Sequence, residues 1–254
     1  MYQPKYTPIA SRQAQPTSQD QLPECFTLLA WNLQKTDFSH YVYRNLKELL
    51  TQSELTNEPH ILSFQEAKTL PEQISFFNLS FVIAPNIQTK KNHFGVLTAS
   101  SSIINPIRQC LTQSRELGWA THKTALITQH KLSNNQILTH VNIHAINFVS
   151  HSVFHRELQK LFQYLDQITG PIIISGDFNT WNKKRTKTLI EATQKLSLKM
   201  VKYPDHRPIK SIFKQPLDHI FYRQLTLQSS QAIDVNLISD HNPILATFCT
   251  INNH

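Results

Sequence analysis

The sequence contains few glycines, few cysteines and few charged residues. Its 254 residues include four glycines and three cysteines, and charged residues make up only 17% of the chain. No apolar run is long enough to span a bilayer. The N-terminus also lacks the apolar core of a secretory signal peptide. We therefore expect a cytoplasmic protein without stable membrane insertion.

The three cysteines, Cys25, Cys110 and Cys249, lie far apart in the sequence and form no CxxC motif. Their number is odd and their surroundings are apolar, which favours buried free thiols in a reducing compartment. This interpretation agrees with the expected cytoplasmic location.

Basic residues outnumber acidic ones, and the net charge is +8 with a pI near 9.4. Such a charge fits a polyanionic partner such as nucleic acid, or a phosphorylated substrate. A generally basic, well-solvated surface explains the charge equally well, because no block of Lys and Arg stands out. The sequence gives no sign of an obligate protein partner, so we expect a monomer.

Residues 1–24 are rich in Gln, Pro, Ser and Thr. A segment of this composition cannot bury a core, so we predict a disordered N-terminal tail. Apolar segments begin at Cys25, and neither a linker nor an internal repeat interrupts the chain after it. We therefore predict one domain over residues 25–254, with enough hydrophobic residues for a core.

Apolar runs and helical periodicity predict the secondary structure. The predicted strands cover 26–33, 59–66, 80–84, 95–99, 123–130, 136–146, 172–174, 216–222 and 244–250. The predicted helices cover 38–50, a short segment from residue 71, 155–168 and 183–196. Strands often follow one another without an intervening helix, which predicts an α+β fold of mainly antiparallel sheets.

The stretch Pro171–Trp181 combines a buried strand with a polar end. Three consecutive isoleucines predict the strand, and Ser175-Gly176 predicts the turn that ends it. Asp177 and Asn179 follow two residues apart, so in an extended chain both side chains point to the same side. The stretch either places chemistry on a rigid support or is an ordinary strand followed by a polar turn.

Polar side chains recur at the ends of the predicted strands, namely Asn32, Glu66, His144, Asp177 with Asn179, Asp218, and Asp240 with His241. Each alone has an ordinary explanation, such as a helix cap, a surface charge, a core histidine, an ion pair or a turn. Together they predict a metal site of carboxylates and amides with two histidines. Oxygen ligands without cysteine suit Mg²⁺ or Mn²⁺. Nearby histidines suit proton transfer or contact with a phosphate.

The order of these motifs resembles that of the endonuclease/exonuclease/phosphatase superfamily, which includes deoxyribonuclease I, exonuclease III-type enzymes, neutral sphingomyelinases and inositol polyphosphate 5-phosphatases. The matching motifs are Trp31-Asn32, Gln65-Glu66, His144 with Asn147, Gly176-Asp177-Phe178-Asn179, Leu217-Asp218-His219-Ile220 and Ser239-Asp240-His241-Asn242-Pro243. They cover about residues 27–248. The runs at 64–67, 95–100 and 142–148 are most similar to a YafD-like bacterial branch.

The resemblance implies a four-layer α/β/β/α sandwich with the site at one edge of two packed sheets. It implies that Glu66 is the main carboxylate ligand of a divalent metal, with Asn32 and Asp240 close by. It also implies that Asp177 aligns and deprotonates the attacking water. Asn179 then holds the phosphate or orients Asp177.

By the same resemblance, His241 contacts the scissile phosphate, and Asp218 fixes the tautomer and charge of His241. His144 donates to the leaving oxygen or binds another phosphate oxygen. Abasic-site endonucleases of the superfamily carry Tyr at the position of His144, which disfavours a dedicated role in abasic-site repair. Substrate-binding residues are predicted beside these groups, namely Asn147, Arg115 with Glu116, and Lys123. A surface ion pair is an equal explanation for the last three.

Three functions remain open from the sequence. A divalent-metal-dependent phosphodiesterase or nuclease, acting by in-line attack of water, fits the site and the basic charge. A phosphomonoesterase or a lipid phosphoesterase of the sphingomyelinase or phosphoinositide type shares the same site residues. A catalytically inactive binding protein on the same fold is disfavoured, because Glu66, Asp177, Asp240 and His241 are all present.

Overall fold

The computed structural model of the protein describes residues 10–12, 19–36, 48, 58–118, 120–235 and 238–251. Its strands are β1 Ala10–Arg12, β2 Cys25–Asn32, β3 Ile61–Thr69, β4 Ser80–Gln88, β5 His93–Ser100, β6 Asn105–Leu111, β7 Thr124–Lys131, β8 Ile137–His144, β9 Ile172–Asp177, β10 Lys199–Met200, β11 Ser211–Ile212, β12 Gln215–Pro216, β13 Asp218–Arg223, β14 Leu225–Ala232 and β15 Ile244–Thr250. Its helices are α1 His151–Leu165 and α2 Lys183–Lys195, with a 3₁₀ helix at Glu116–Gly118. In this part of the chain, neither α-helix has the length and apolar character needed to cross a bilayer.

The strands form two large sheets and a small hairpin. The seven-stranded sheet has the order β1-β4-β5-β3-β2-β15-β14, and the six-stranded sheet has the order β10-β13-β9-β8-β7-β6. Within them β2 pairs with β3, and β8 with β9, in parallel, while the other pairs are antiparallel. The separate hairpin joins β11 to β12. The mainly antiparallel α+β prediction is confirmed.

The isoleucines of β9 show how the layers pack. Ile172 and Ile174 lie in an apolar cluster with Phe154 and Leu158 of α1, on the outer face of the six-stranded sheet. Ile173 points the other way, into a cluster that also contains Phe248 of the seven-stranded sheet. Both faces of β9 are therefore buried, which is why its sequence is apolar without alternation.

A further apolar cluster covers the outer face of the seven-stranded sheet and includes Leu29, Trp31 and Phe64. Two stacked sheets with helices on one outer face confirm the predicted deoxyribonuclease I-like sandwich. Of the helix predicted over 38–50, residue 48 alone is described, and it is helical, so most of this prediction lies outside the described residues.

Polar side chains join the two sheets close to the strand ends. The side-chain amide of Asn142 on β8 donates to the carbonyl oxygens of Phe64 and Leu97, at 3.1 and 2.8 Å. It also accepts a 2.8 Å hydrogen bond from Gln65 Nε2. Because all these groups are buried, their hydrogen bonds fix how one sheet lies on the other.

Most predicted elements are present with shifted ends. Strands β3 and β4 run past their predicted ends. Helix α1 begins four residues earlier than predicted, because the Ser150 hydroxyl caps it by accepting the N–H of Val153 at 3.4 Å. The helix predicted from residue 71 is wrong, since a turn occupies that position. The edge strands β6 and β14 are absent from the predictions.

The predicted N-terminal tail is partly built into the sandwich. Strand β1 pairs with β4 at the edge of the seven-stranded sheet. Leu22 is fully buried, and its N–H donates to the carbonyl oxygen of Lys131 at 2.8 Å. Packing of the domain therefore begins before the predicted boundary at Cys25, because Leu22 fills part of the apolar cluster between the sheets.

The prediction of three free thiols is wrong for two of them. Cys25 and Cys249 form a disulfide, and Cys110 is free. The two bonded residues are direct neighbours across the antiparallel pair of β2 and β15, although 224 residues separate them in the sequence. The predicted cytoplasmic location loses this support, because disulfides persist mainly in oxidising compartments.

Candidate active site

Neighbouring strands deliver polar side chains to one edge of the sandwich. Strand β9 lies between β8 and β13, and the register places Asp177 opposite both His144 and Asp218. Asn32 ends β2 in the other sheet, and His241 lies in the loop before β15. All five side chains are buried. The structure therefore brings together five of the residues that the strand-end pattern predicts.

Asp177 is the centre of this group. Its Oδ2 accepts a 3.0 Å hydrogen bond from Asn32 Nδ2, and its Oδ1 accepts the N–H of Asn179 at 2.9 Å. The Nε2 atoms of His144 and His241 lie 3.6 and 3.7 Å from Oδ2. Burial raises the pKa of Asp177 to about 6 and the Asp218 carboxylate adds to this, while His241 opposes it. The carboxylate can therefore exchange a proton near neutral pH.

His241 is held by Asp218. Its Nδ1 donates to Asp218 Oδ2 at 2.7 Å, so its Nε2 faces Asp177. Burial alone lowers the pKa of His241, but the Asp218 and Asp177 carboxylates outweigh it and raise the pKa to about 9. His241 is thus an imidazolium at neutral pH, a group that can neutralise a phosphate.

His144 differs from His241 in its charge. Burial lowers the pKa of His144 well below the ordinary value, and the charges of Lys123, His241 and Lys35 lower it further. Its Nε2 lies 3.9 Å from Glu66 Oε1 as well as 3.6 Å from Asp177 Oδ2. A neutral imidazole between two carboxylates can donate one hydrogen bond to a ligand oxygen.

Glu66 and Lys123 form the second part of the site. Lys123 Nζ lies 3.4 Å from Glu66 Oε1 and 3.6 Å from Glu116 Oε2, and its side chain is only 11% exposed. Lys35 Nζ lies 4.0 Å from the other Glu66 oxygen. The Glu66 carboxylate, 21% exposed, therefore faces solvent between two ammonium groups.

The backbone around the site adopts unusual conformations. Glu66 has a φ of 49° at a bulge in β3, and Asn179, two residues after the end of β9, has a φ of 50°. Such left-handed conformations cost energy in residues other than glycine, and they are concentrated at functional sites. Gly176 permits the close approach of β8 and β9, because a Cβ there would lie 2.0 Å from the Ile143 oxygen.

The remaining predicted residues lie at different distances from this centre. The Asn147 N–H donates to Glu116 Oε1 at 2.8 Å, so Asn147 borders the site beside Lys123. Arg115 is exposed, and its Nε donates to His122 Nε2 at 3.1 Å. Of the Arg115-Glu116 pair, it is therefore Glu116 whose side chain reaches the site, whereas Arg115 was the predicted substrate-binding residue.

Asp240 lies at the solvent side of the site. Its carboxylate is 46% exposed, forms an ion pair with Lys210 and lies 4.0 Å from His241 Nε2. Tyr203 is half-buried, and burial of its hydroxyl together with the Asp218 charge raises the pKa of that hydroxyl well above the usual value. Sequence reasoning missed Lys210 and Tyr203, because neither follows a predicted strand and no local pattern marks them.

Two sets of side chains in the described residues could hold a metal ion. The ligand atoms of Asp177, Asp218 and His241 all lie within 4.8 Å of one another. The predicted set of Glu66, Asn32 and Asp240 offers oxygen donors alone, which suit a hard divalent cation. Both of its carboxylates lie beside lysine ammonium groups, so positive charge already occupies positions suited to a cation. The donor chemistry of the predicted set suits the ion, but which set holds it stays a prediction, because Asn32 Oδ1 already accepts the N–H of Gln34 and His241 Nδ1 already bonds Asp218.

Comparison with known proteins agrees with this arrangement. The model of the Endonuclease/Exonuclease/phosphatase family matches residues 29–241. The UPF0294 protein plu0699 of Photorhabdus laumondii subsp. laumondii is 36% identical over 200 residues, which are 77% of this chain and 75% of that protein. The YafD-like branch stays a prediction.

Solved structures share the fold at low sequence identity. An endonuclease/exonuclease/phosphatase family protein from Leptotrichia buccalis has a TM-score of 0.63 and 16% identity, over 88% of this chain and 99% of that one. D. rerio TDP2, complexed with a single strand DNA product, has a TM-score of 0.61 and 16% identity, over 89% and 99%. The human Nocturnin catalytic domain, with a bound sulfate, has a TM-score of 0.58 and 17% identity, over 91% and 96%. With the family model and the 36% identical relative, the chain belongs to the Endonuclease/Exonuclease/phosphatase family.

Proposed function

We propose that the protein is a divalent-metal-dependent phosphodiesterase that cleaves nucleic acid by in-line attack of water. The observation that carries the proposal is the pair formed by Asp177 and His241. A carboxylate whose pKa is about 6 lies 3.7 Å from an imidazolium whose pKa is about 9. At neutral pH Asp177 can take a proton from water while His241 neutralises phosphate charge. Phosphoester hydrolysis needs both a base and a group that stabilises the developing negative charge.

Asp177 accepts the proton of the attacking water in this mechanism. Asn32 and the N–H of Asn179 hold its two oxygens, so the carboxylate keeps one orientation. His241 Nε2 faces a non-bridging phosphate oxygen, and Asp218 keeps the imidazole charged and oriented. His144 donates a hydrogen bond to the leaving oxygen or to another phosphate oxygen. Its low pKa keeps the ring a neutral imidazole, which has one N–H for this purpose.

Glu66 would hold Mg²⁺ or Mn²⁺, with Asn32 and Asp240 close by. The bound ion supplies Lewis-acid neutralisation of the phosphate charge. Lys123 and Lys35 stand beside Glu66, so they contribute further positive charge for the substrate.

Nucleic acid is the proposed substrate because of the net charge of +8 and the lysines around Glu66. A phosphomonoester or a lipid phosphodiester would use the same catalytic groups, so substrate comparison has to separate these classes. The monomeric state and the cytoplasmic location also stay predictions.

The test of hydrolysis is the substitution Asp177→Asn. It keeps the size of the side chain but removes the base, so we expect turnover to fall by about 10²- to 10⁴-fold. The substrates are plasmid DNA, single-stranded DNA, RNA, sphingomyelin, phosphoinositides and bis-nitrophenyl phosphate, each with Mg²⁺ and with Mn²⁺. The matched control is Asp166→Asn, which changes an exposed carboxylate at the end of α1. Unchanged hydrolysis in the Asp177→Asn protein would contradict the proposal.

The metal site is tested by comparing Glu66→Gln with Asp218→Asn. If Glu66 holds the ion, Glu66→Gln raises the half-saturating Mn²⁺ concentration about tenfold or more. Asp218→Asn then lowers turnover and leaves that concentration nearly unchanged. Chelation abolishes the activity of the wild-type protein in either case. If instead Asp218→Asn raises the half-saturating Mn²⁺ concentration and Glu66→Gln leaves it nearly unchanged, the ion belongs to the cluster of Asp177, Asp218 and His241.

A further inference from the structure

A cavity of about 280 Å³ lies between helix α1 and the edge of the six-stranded sheet. Its walls come from β6, from the start of β7, from the end of β8 and from α1. Most of its lining is apolar, with Cys110, Ala125, Ile143, Phe154, Leu158 and Leu161 among the residues that form it. The cavity is partly open to solvent, and β6, which forms one of its walls, is the edge strand of its sheet.

The cavity is large enough for a ligand. It is partly open to solvent, so an apolar chain that enters it removes the apolar surface of its walls from water. A volume of about 280 Å³ can hold an apolar chain of several carbons.

Charged side chains at the rim indicate the polar part of the ligand. Arg108 and Lys160 are both exposed, and the Arg108 guanidinium lies 4.7 Å from the centre of the Tyr164 ring. Glu157 also lines the cavity, but its two oxygens accept the N–H groups of Gln113 and Ser114, at 3.1 and 3.0 Å. Lys160 Nζ donates to the neutral Gln113 Oε1, so the rim carries two cationic side chains and one carboxylate, with the positive charge in excess.

The cavity also adjoins the catalytic centre. Thr124 and His144 belong to its walls and to the walls of the small pocket that contains Glu66, Lys35 and Lys123. A ligand in the cavity would therefore contact the strand ends that carry the site.

We propose that this cavity binds the alkyl chain of an anionic amphiphile. The chain lies against Ile143, Phe154 and Leu158, and the anionic headgroup lies between Arg108 and Lys160. The cavity shares His144 with the proposed active site, but it lies on the face of the sheet that α1 covers, so binding of the chain can be measured without hydrolysis.

Binding is measured directly, without any hydrolysis. Linear carboxylates of 6 to 12 carbons, kept below the concentrations at which they form micelles, are titrated calorimetrically into the protein of 254 residues. We expect a single site whose affinity increases roughly fourfold per added methylene until the chain fills the cavity. Absence of saturable binding across the series, or an affinity that ignores chain length, would overturn the proposal.

Cys110 reports the location of the ligand. The chain has three cysteines, and two of them form the disulfide, so Cys110 is the single free thiol. We expect a saturating carboxylate to slow its alkylation by iodoacetamide at least tenfold in the folded, wild-type protein. An unchanged alkylation rate at saturation would place the ligand elsewhere.

Variants complete the test. Ala125→Met fills the cavity and should abolish binding, whereas Ala192→Met makes the same change in the groove between α1 and α2 and should leave binding intact. Arg108→Gln should weaken carboxylate binding several-fold and leave the binding of the matching alkanol unchanged. Binding that persists in folded Ala125→Met protein would refute the site. Because none of these readouts needs turnover, failure of the proposed hydrolysis would not be mistaken for failure of the cavity proposal.

Discussion

At the residue scale, one buried carboxylate changes the pKa of two neighbouring groups in the site, a second carboxylate and an imidazole. The negative charge of Asp218 raises the pKa of Asp177 and also raises the pKa of His241. The first effect keeps the base from ionising too readily, and the second keeps the imidazole charged. Pairs of groups whose environments separate their roles in this way are the usual basis of acid–base assignments.

The pH dependence of hydrolysis should follow these two groups. The rate should increase with pH through about 6 as Asp177 loses its proton, and decrease above about 9 as His241 loses its proton. Because Asp218 raises both pKa values, Asp218→Asn should move both limbs of the profile to lower pH. The measurement is kcat/KM between pH 4.5 and 10. Asp205→Asn, which changes an exposed carboxylate paired with Arg207, is the control and should leave both limbs in place.

At the element scale, the strands that could be predicted are those buried on both faces or at the centre of a sheet. Strands β2, β9 and β15 carry nearly continuous apolar runs, and β8 alternates apolar with polar residues over most of its length, so their sequences alone mark them. The edge strands β6 and β14 are half exposed and rich in polar residues. Pairing with β7 and β15 decides their conformation, and that pairing is not encoded locally.

The active-site residues could be predicted because they follow central strands, but their contacts could not. The order of Asn32, Asp177 and Asp218 along the chain gives no register between strands, and the register places them together. The disulfide between Cys25 and Cys249 was missed for the same reason. It depends on the neighbouring positions of β2 and β15, which lie at opposite ends of the sequence.

The disulfide should contribute to stability by joining these two strands. A cross-link that closes a loop of more than two hundred residues restricts the unfolded chain, and native disulfides typically contribute about 2–4 kcal/mol. We expect the double variant Cys25→Ser/Cys249→Ser to lose about that much free energy of unfolding in urea. Cys110→Ser, which changes the free thiol, is the control.

Counting thiols tests the disulfide more directly. The denatured protein should show one reactive thiol without reductant and three after reduction. Three thiols in the protein purified without reductant would restore the original prediction of free cysteines.

At the scale of the whole molecule, two stacked sheets place the ends of their central strands at one edge. The parallel pairs β2–β3 and β8–β9 lie near the middle of their sheets, so each pair directs two strand ends to the same side. The resulting site combines buried carboxylates with lysines, on a molecule whose net charge is +8. This positive charge should therefore favour a phosphoester substrate that carries many negative charges.

Salt dependence should separate a nucleic acid substrate from a small phosphodiester. If about four cationic side chains contact phosphates, the affinity for DNA should fall roughly a hundredfold between 50 and 200 mM salt. Hydrolysis of bis-nitrophenyl phosphate, which carries one phosphate, should change little.

Lys35→Gln should reduce the slope of log affinity against log salt by about one, since Lys35 is half exposed beside Glu66. Lys195→Gln, at the end of α2, should leave the slope unchanged. Equal and weak salt dependence for both substrates would mean that the positive charge does not bind a polyanion, and a small phosphoester would then be the better substrate class.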